Sequence, residues 1–449
     1  MPDFEWNRLW TRREALGMAA GVLLPWQEAF SVEASEEDFE KCARDAIRWI
    51  QAHGVTTGAG KTWPGIPGKK ESIAFDLYSG TAGIALILAE GARRWASKEM
   101  AEDARLAGKE MLSWARPMLD GRFLGLYTGL AGCIWTLDAI GRIGEVKDPS
   151  WRSDPATDLA LAYATDITKH GAPIKANDVI SGLAGIGLAF LDRPLAQDGS
   201  LFIGAAAGIG DVLIERAKPE GAGLRWEMEE GNPRNLPNFS HGTAGIAYFL
   251  AKLYSATKQK QFLEAAVKGA MYLQSVAKSD GDGCLIFHSA PDGTERYYLG
   301  WCHGPAGTSQ LFWQLYKATG ESKWKEWALR GTKSLLDAKV PENRTEGYWN
   351  NEGLCCGTAG IGRHFLDTYR RTGEAKYLDA AQRCAKAVVV RATRNDKGAF
   401  WVHAEHRVKP EETEAQTGWM QGAAGIAAFL LEMSNPKKEV IQLPVDADR

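Results

Sequence analysis

Two kinds of helical stretch alternate along this chain. In one, apolar residues recur at helical spacing with few charges between them, as at Ile246, Phe249, Leu250 and Leu253. In the other, Phe262, Ala266, Ala270 and Leu273 form a single apolar stripe, and lysines and glutamines occupy the rest of the surface. The first kind predicts a buried inner helix, the second an outer helix that covers it. Tyr254, Tyr316 and Tyr369 each end an inner stretch, and Phe262, Trp324 and Tyr377 each open the next one eight residues later. Gly320 and Gly373 stand in the turn between, where a left-handed helix cap is wanted.

Each inner stretch opens on the same small-residue tetrapeptide. It starts at Gly80, Gly129, Gly182, Gly242, Gly304, Gly357 and Gly422, and successive subtraction gives spacings of 49, 53, 60, 62, 53 and 65 residues. Each interval holds one helical hairpin and a loop. Hairpins that bury a face only against their neighbours close naturally into a ring. The predicted fold is therefore all-α: an α/α toroid, a double-layered helical barrel of seven helical hairpins. The missing side chains of the tetrapeptides let inner helices crowd at one end, and are expected to leave helix N-termini and backbone amides facing the central cavity. Longer segments precede each tetrapeptide, so the functional end is expected there. Leu224 to Phe239, Cys284 to Gly300 and Phe400 to Trp419 would either roof the cavity or form plain surface hairpins.

Bulk properties narrow the function. The chain has 449 residues with 53 basic against 56 acidic, a balance that gives no footprint for nucleic acid or an anionic membrane surface. The repeats run from about residue 76 to residue 432 without a charged linker, so residues 35–435 are expected to form one catalytic domain, followed by a C-terminal tail over 436–449. Ser35 with Glu36, Glu37 and Asp38 reads as the start of its first helix. Ahead of it, Arg12-Arg13 precede a short apolar stretch, Gly17 to Leu24, and Val32-Glu33-Ala34 offers small residues for cleavage. Residues 1–34 thus resemble a twin-arginine export signal, which would place the protein outside the cytoplasm; the other reading is an amphipathic N-terminal helix of a cytoplasmic protein. The apolar stretch is too short to span a bilayer.

Cysteines carry the chemistry. Their number, seven, is odd, and three lie inside glycine motifs, so no disulfide framework is expected. Cys42, Cys133, Cys284 and Cys384 read as small buried hydrophobes. Cys302, in Trp301-Cys302-His303-Gly304, and Cys355 and Cys356, in Leu354-Cys355-Cys356-Gly357, occupy equivalent places in successive repeats. Adjacent hairpins would bring three thiols to one point. Three sulfur ligands with an open fourth position describe a catalytic zinc site, one Zn²⁺ per chain. His241, before Gly242, occupies the motif one repeat earlier and is the candidate acid or base beside the metal. Asp178 and Asp76 each stand four residues before their tetrapeptide, where either caps an inner helix.

Taken together, Trp-Cys-His-Gly, Leu-Cys-Cys-Gly-Thr-Ala-Gly and Ser-His-Gly-Thr-Ala-Gly within these repeats resemble the lanthionine synthetase C-like proteins, which include the lanthipeptide cyclases. The resemblance covers about residues 40 to 435. It implies a seven-hairpin toroid with one catalytic zinc, and addition of a cysteine thiol to dehydroalanine or dehydrobutyrine to give a thioether. Cys302 and Cys355 match the family's cysteine ligands, His241 its catalytic histidine and Asp178 its acidic residue. Cys356 stands where the family usually has a histidine ligand. Three thiolates on Zn²⁺ leave a net charge of −1, which would make a bound substrate thiolate more nucleophilic. His303 follows the first ligand where many bacterial cyclases have tyrosine, and resembles the eukaryotic-like branch associated with glutathione addition. The arginine expected four residues before Cys302 is replaced by Tyr298, with Arg296 nearby but out of register. The expected partners are a dehydrated peptide or small thiol substrate and a separate dehydratase, and His241, assisted by Asp178 or His303, would manage the α-carbon proton.

Two other classes fit parts of the pattern. Carbohydrate-processing toroids need paired carboxylates, and 17 tryptophans would suit a sugar cleft. However, Glu229, Glu230, Glu352 and Glu405 fall at no repeated motif position. His403-Ala404-Glu405-His406 suggests a second metal site, although the alternation of Trp401, His403 and Glu405 is better explained by a short strand. The third class is a zinc-bearing binding scaffold without catalysis.

Overall fold

The computed structural model describes residues 35–115, 124–143, 146, 164–169, 174–192, 199–343, 345, 351–404, 409, 411–438 and 440–446. Residues 1–34, read above as resembling an export signal, and Glu405 and His406 lie outside these residues. No described helix is long and apolar enough to cross a membrane.

Helix α1 (Glu36–Gln51) opens on a capping box: the Ser35 hydroxyl accepts from the Asp38 amide, and the Asp38 carboxylate accepts from the Ser35 amide. Then follow α2 (Thr81–Trp95) with α3 (Lys98–Ala115), α4 (Leu130–Gly141), α5 (Leu183–Leu191) with α6 (Gly199–Glu215), α7 (Thr243–Thr257) with α8 (Lys260–Val276), α9 (Pro305–Thr319) with α10 (Ser322–Asp337), α11 (Thr358–Thr372) with α12 (Ala375–Arg391), and α13 (Ala423–Met433). The two-layer reading holds. In α7 every residue from Thr243 to Leu253 is buried, whereas α8 buries one stripe that includes Phe262, Ala266, Ala270 and Leu273. The cap residues Gly320 and Gly373 are left-handed at φ 74°, and their amides donate to the carbonyls of Tyr316 and Tyr369.

One hairpin is not sequential. The last inner helix, α13, pairs with α1, so the outer helix of the seventh hairpin comes from the start of the chain. Closure in this way leaves neither terminal repeat with an uncovered apolar face.

Short antiparallel hairpins follow four outer helices: β1 (Val55–Thr56) with β2 (Lys61–Thr62), β3 (Lys218–Glu220) with β4 (Gly223–Arg225), β5 (Ala277–Asp280) with β6 (Gly283–Ile286), and β7 (Thr393–Asn395) with β8 (Gly398–Phe400). Beyond three of them a tryptophan locks the loop to its helix. The indole N–H groups of Trp63, Trp226 and Trp401 donate to the carbonyls of Ile50, Leu213 and Val388, 13 residues back in each case. A fifth pair, β9 (Val402–Ala404) with β10 (Thr413–Ala415), carries His403, in line with the expected strand.

The tetrapeptides act through steric room. A Cβ on Gly360 would lie 1.9 Å from the Leu354 carbonyl oxygen, and the equivalent glycines Gly132, Gly245, Gly307 and Gly425 face the carbonyl six residues back at 1.8–2.0 Å. The expectation of open amides is not met. Thr358 and Ala359 donate to the carbonyls of Asn351 and Glu352, seven residues earlier, and the same bonds recur at Thr81, Leu183, Thr243 and Ala423. The preceding loop folds back over each helix start because buried N–H groups need partners. Gly360→Ala is expected to destabilise more than Gly320→Ala, which meets no atom within 4 Å and carries only the left-handed backbone penalty of about 1–2 kcal/mol. Denaturant midpoints of the two variants check the order.

Backbone hydrogen bonds then tie all seven repeats into a circuit. Tyr78 donates to Tyr127, Tyr127 to Ile180, Val179 to Ser240, Ser240 to Cys302, Cys302 to Cys355, Cys355 to Met420 and Met420 back to Tyr78, at 2.9–3.2 Å. Residues 440–446, expected as part of a tail, pack into the bore below. Leu443 and Val445 are buried, Lys252 reaches the carbonyls of Pro444 and Asp446, and Arg363 pairs with Asp446 and Glu432.

Candidate metal centre with a histidine–carboxylate pair

Cys302 and Cys355 sit on the circuit itself, two residues before their glycines, and the Cys302 amide donates to the Cys355 carbonyl at 3.1 Å. This fixes the two backbones side by side. Cys356, one residue on, completes the cluster. Its Sγ lies 3.3 Å from each of the other two sulfurs, and all three fall within 4.8 Å of one another. A tetrahedral ion with bonds near 2.3 Å would hold sulfurs about 3.8 Å apart, so a small opening of this cluster seats one. Among the described residues it is the one group of three metal-ligating side chains. An all-thiol donor set fits zinc and does not fit magnesium or calcium. Hydrogen bonds from Cys302 and Cys356 push the Cys355 thiol well below its ordinary range. The Cys302 thiol is raised first by its bond to Cys355, and the Cys356 thiol by its bonds to both partners.

His241 and Asp178 come from neighbouring repeats. Asp178 is wholly buried; its Oδ1 accepts from the Ser181 amide and hydroxyl, and its Oδ2 lies 2.5 Å from His241 Nδ1. Asp76 makes the same turn with Ser79, and Asn238 makes it with the His241 amide. Their side chains thus bind the residue before the first glycine rather than the helix amides. Only at Asp178 does the second carboxylate oxygen meet a histidine among the described residues. The carboxylate holds Nδ1 as the donor and leaves Nε2 as the nitrogen that exchanges a proton. His241 is the partly exposed member, with 29% of its side chain accessible.

His303 lies beside this pair, its ring centroid 6.0 Å from that of His241. Burial pushes its pKa well below the ordinary imidazole range, aided by His288, His241 and Arg234. The ring is therefore neutral near pH 7. His288 stacks on it at 4.3 Å and 7°, and Tyr298 meets both rings edge-on. His288 escaped the sequence reading because it lies in an insertion with no repeat register. Tyr298 stands where an arginine was expected, and Arg234 enters from another loop to donate to Ser289 Oγ, which in turn contacts His288 Nδ1.

The carboxylates weighed for glycoside chemistry are elsewhere. Glu229 and Glu230 are exposed, and buried Glu352 is paired with Arg391.

The fold and site define a class: a helical toroid whose repeat loops gather three thiols beside a histidine–carboxylate pair. Residues 71–444 match the family described as lanthionine synthetase C-like protein, and the chain belongs to that family. It is similar to the glutathione S-transferase LANCL1 of Danio rerio, 25% identical over 172 residues, which is 38% of this chain and 38% of that protein. The match therefore spans well under half of the relative's length. Among solved structures, nisin cyclase aligns with a TM-score of 0.58 at 17% identity, covering 80% of this chain and 89% of that one. The Lin0763 protein from Listeria innocua aligns at 0.50 and 12% identity, covering 88% and 96%. These two share the fold.

Proposed function

We propose that the protein is a zinc-dependent thiol-addition enzyme that joins a cysteine thiol to a dehydroalanine or dehydrobutyrine residue as a thioether. The observation that carries this is the convergence of three clustered thiols, from two tetrapeptide loops, with the His241–Asp178 pair, from two more. Family membership and the nisin cyclase fold support it. Cys302, Cys355 and Cys356 would hold the ion, which when bound would lower the pKa of an incoming thiol and present it as a thiolate. Attack on the β-carbon moves an electron pair onto the α-carbon and carbonyl, and a proton must then reach the α-carbon. His241 Nε2 takes the proton that the incoming thiol gives up and passes it to the α-carbon, while Asp178 fixes the tautomer and balances the charge of the imidazolium formed in between. His303, kept neutral, leaves His241 as the group that changes charge.

A second reading, addition of a free small thiol such as glutathione, is favoured by His303 and by the similarity to LANCL1. One experiment separates them. A dehydrated peptide with an internal cysteine is incubated with the protein, with and without glutathione. Ring formation removes the alkylatable thiol without changing mass; glutathione addition raises the mass. Neither product from the metal-loaded protein would overturn both readings. His241→Asn is expected to keep its zinc while the rate falls on the order of 10²–10⁴-fold. Full activity in that variant would remove His241 from the mechanism.

A further inference from the structure

The two circuit positions that precede each glycine supply Cys302, Cys355, Cys356, His241 and His303. In the first and last repeats they supply Tyr78 and Gln421, to which the chemistry above gives no task. Ring closure brings both beside the cysteines. The Tyr78 backbone is pinned on each side, its amide donating to Tyr127 and its carbonyl accepting from Met420, both at 2.9 Å.

A chain of hydrogen bonds of fixed direction runs to its phenol. Asn351 is wholly buried; its Oδ1 accepts from the Gly353 amide at 2.8 Å, and its Nδ2 donates to the Ala404 carbonyl at 3.3 Å. This settles which end of the Asn351 amide is nitrogen. The same Nδ2 donates to Gln421 Oε1 at 3.2 Å, so the other end of the Gln421 amide is its nitrogen, and Nε2 donates to the Tyr78 phenol oxygen at 3.2 Å. With that oxygen already accepting, its own hydrogen is left to donate, and Tyr78 and Cys355 flank Met420, whose amide donates to the Tyr78 carbonyl and whose carbonyl accepts from the Cys355 amide, both at 2.9 Å.

We propose that Tyr78 is a positioning residue of the metal centre, donating its phenolic hydrogen to the sulfur of Cys355, with Gln421 and Asn351 setting the direction of that bond. The inference rests on the metal reading given above and assigns the centre a support from the opposite end of the chain. Its physical purpose is charge. Three thiolates on a divalent ion carry a net −1, and a substrate thiolate makes −2. A hydrogen bond to a ligand sulfur draws electron density away from the ion and fixes the ligand's orientation. Cys355, like Cys302, has its backbone held on both sides, so the phenol acts on the sulfur of a ligand whose main chain is already fixed.

Cobalt substitution provides the test, because sulfur-to-cobalt charge transfer reports electron density on the thiolates. In Tyr78→Phe, which keeps the ring that packs edge-on against Tyr127 at 6.3 Å, the charge-transfer bands are expected to move to lower energy. Zinc affinity, measured by chelator competition, is expected to fall about 10-fold or more. Gln421→Leu should move both readouts the same way by less. A merely structural tyrosine would leave the band energies unmoved. Cobalt–thiolate bands that are identical in the parent protein and in Tyr78→Phe, with equal zinc affinity, would overturn the role of Tyr78 alone. A parent protein that develops no such bands would overturn the metal reading, and this inference with it.

Discussion

Cys302→Ala is expected to empty the metal centre, taking bound zinc from about one ion per chain to none and thioether formation to background. Two sulfurs on one loop would remain, and Cys355 and Cys356 alone cannot close a three-coordinate site. The fold should survive, because the contribution of Cys302 to the circuit is made by its backbone: its amide bonds to Cys355 and its carbonyl accepts from Ser240. Cys356→Ser keeps an oxygen donor at the third corner and is expected to weaken zinc binding without abolishing it. Elemental analysis and an activity assay on the same preparations check both. Retention of zinc and activity in Cys302→Ala would show that the ion is held elsewhere.

Arg363→Met should give the largest loss of stability among single changes away from the cysteines. Arg363 extends from α11 into the bore, where its Nε lies 3.2 Å from Glu432 and its Nη2 lies 2.9 Å from Asp446 and 3.1 Å from the Ile441 carbonyl. Glu432 and Asp446 are both nearly inaccessible, at 1% and 8%. Removing the cation leaves them buried with less compensation, a loss of about 3–5 kcal/mol. The exposed Lys333–Asp337 pair on α10 is the control; Lys333→Met should leave the denaturant midpoint essentially unchanged, because water and salt screen a surface pair. The loss should also be local in its first effects, since Arg363 clamps residues 441 and 446 against the inner helices. Hydrogen exchange at 440–446 is expected to speed up before the rest of the toroid responds. Unchanged exchange there, with an unchanged denaturant midpoint, would show that the C-terminal segment is held by Leu443 and Val445 packing instead.

Much of the centre could be read from spacing. Cys302 and Cys355 stand at the same place before their glycines, and neighbouring repeats place equivalent residues side by side, so their meeting needed no knowledge of loops. The acidic pair of candidates was also visible, but the sequence did not separate Asp178 from Asp76. Both make the same turn with a serine; the difference is which residue the next repeat presents to the second carboxylate oxygen. That depends on the stagger between repeats.

The sequence by itself determined the two-layered helical ring, because helical periodicity, cap glycines and clash-free tetrapeptides are local demands that each repeat satisfies within itself. It also determined the thiol cluster, since repetition turns equivalence in sequence into proximity in space. Only the tertiary structure decided that α1 serves as the outer partner of α13, that residues 440–446 fill the bore, that His288 stacks on His303, and that Tyr78 and Gln421 stand beside Cys355. Each of these joins segments outside the repeat register or across the point of closure. Such contacts form only when the whole ring shuts, and no local periodicity encodes them.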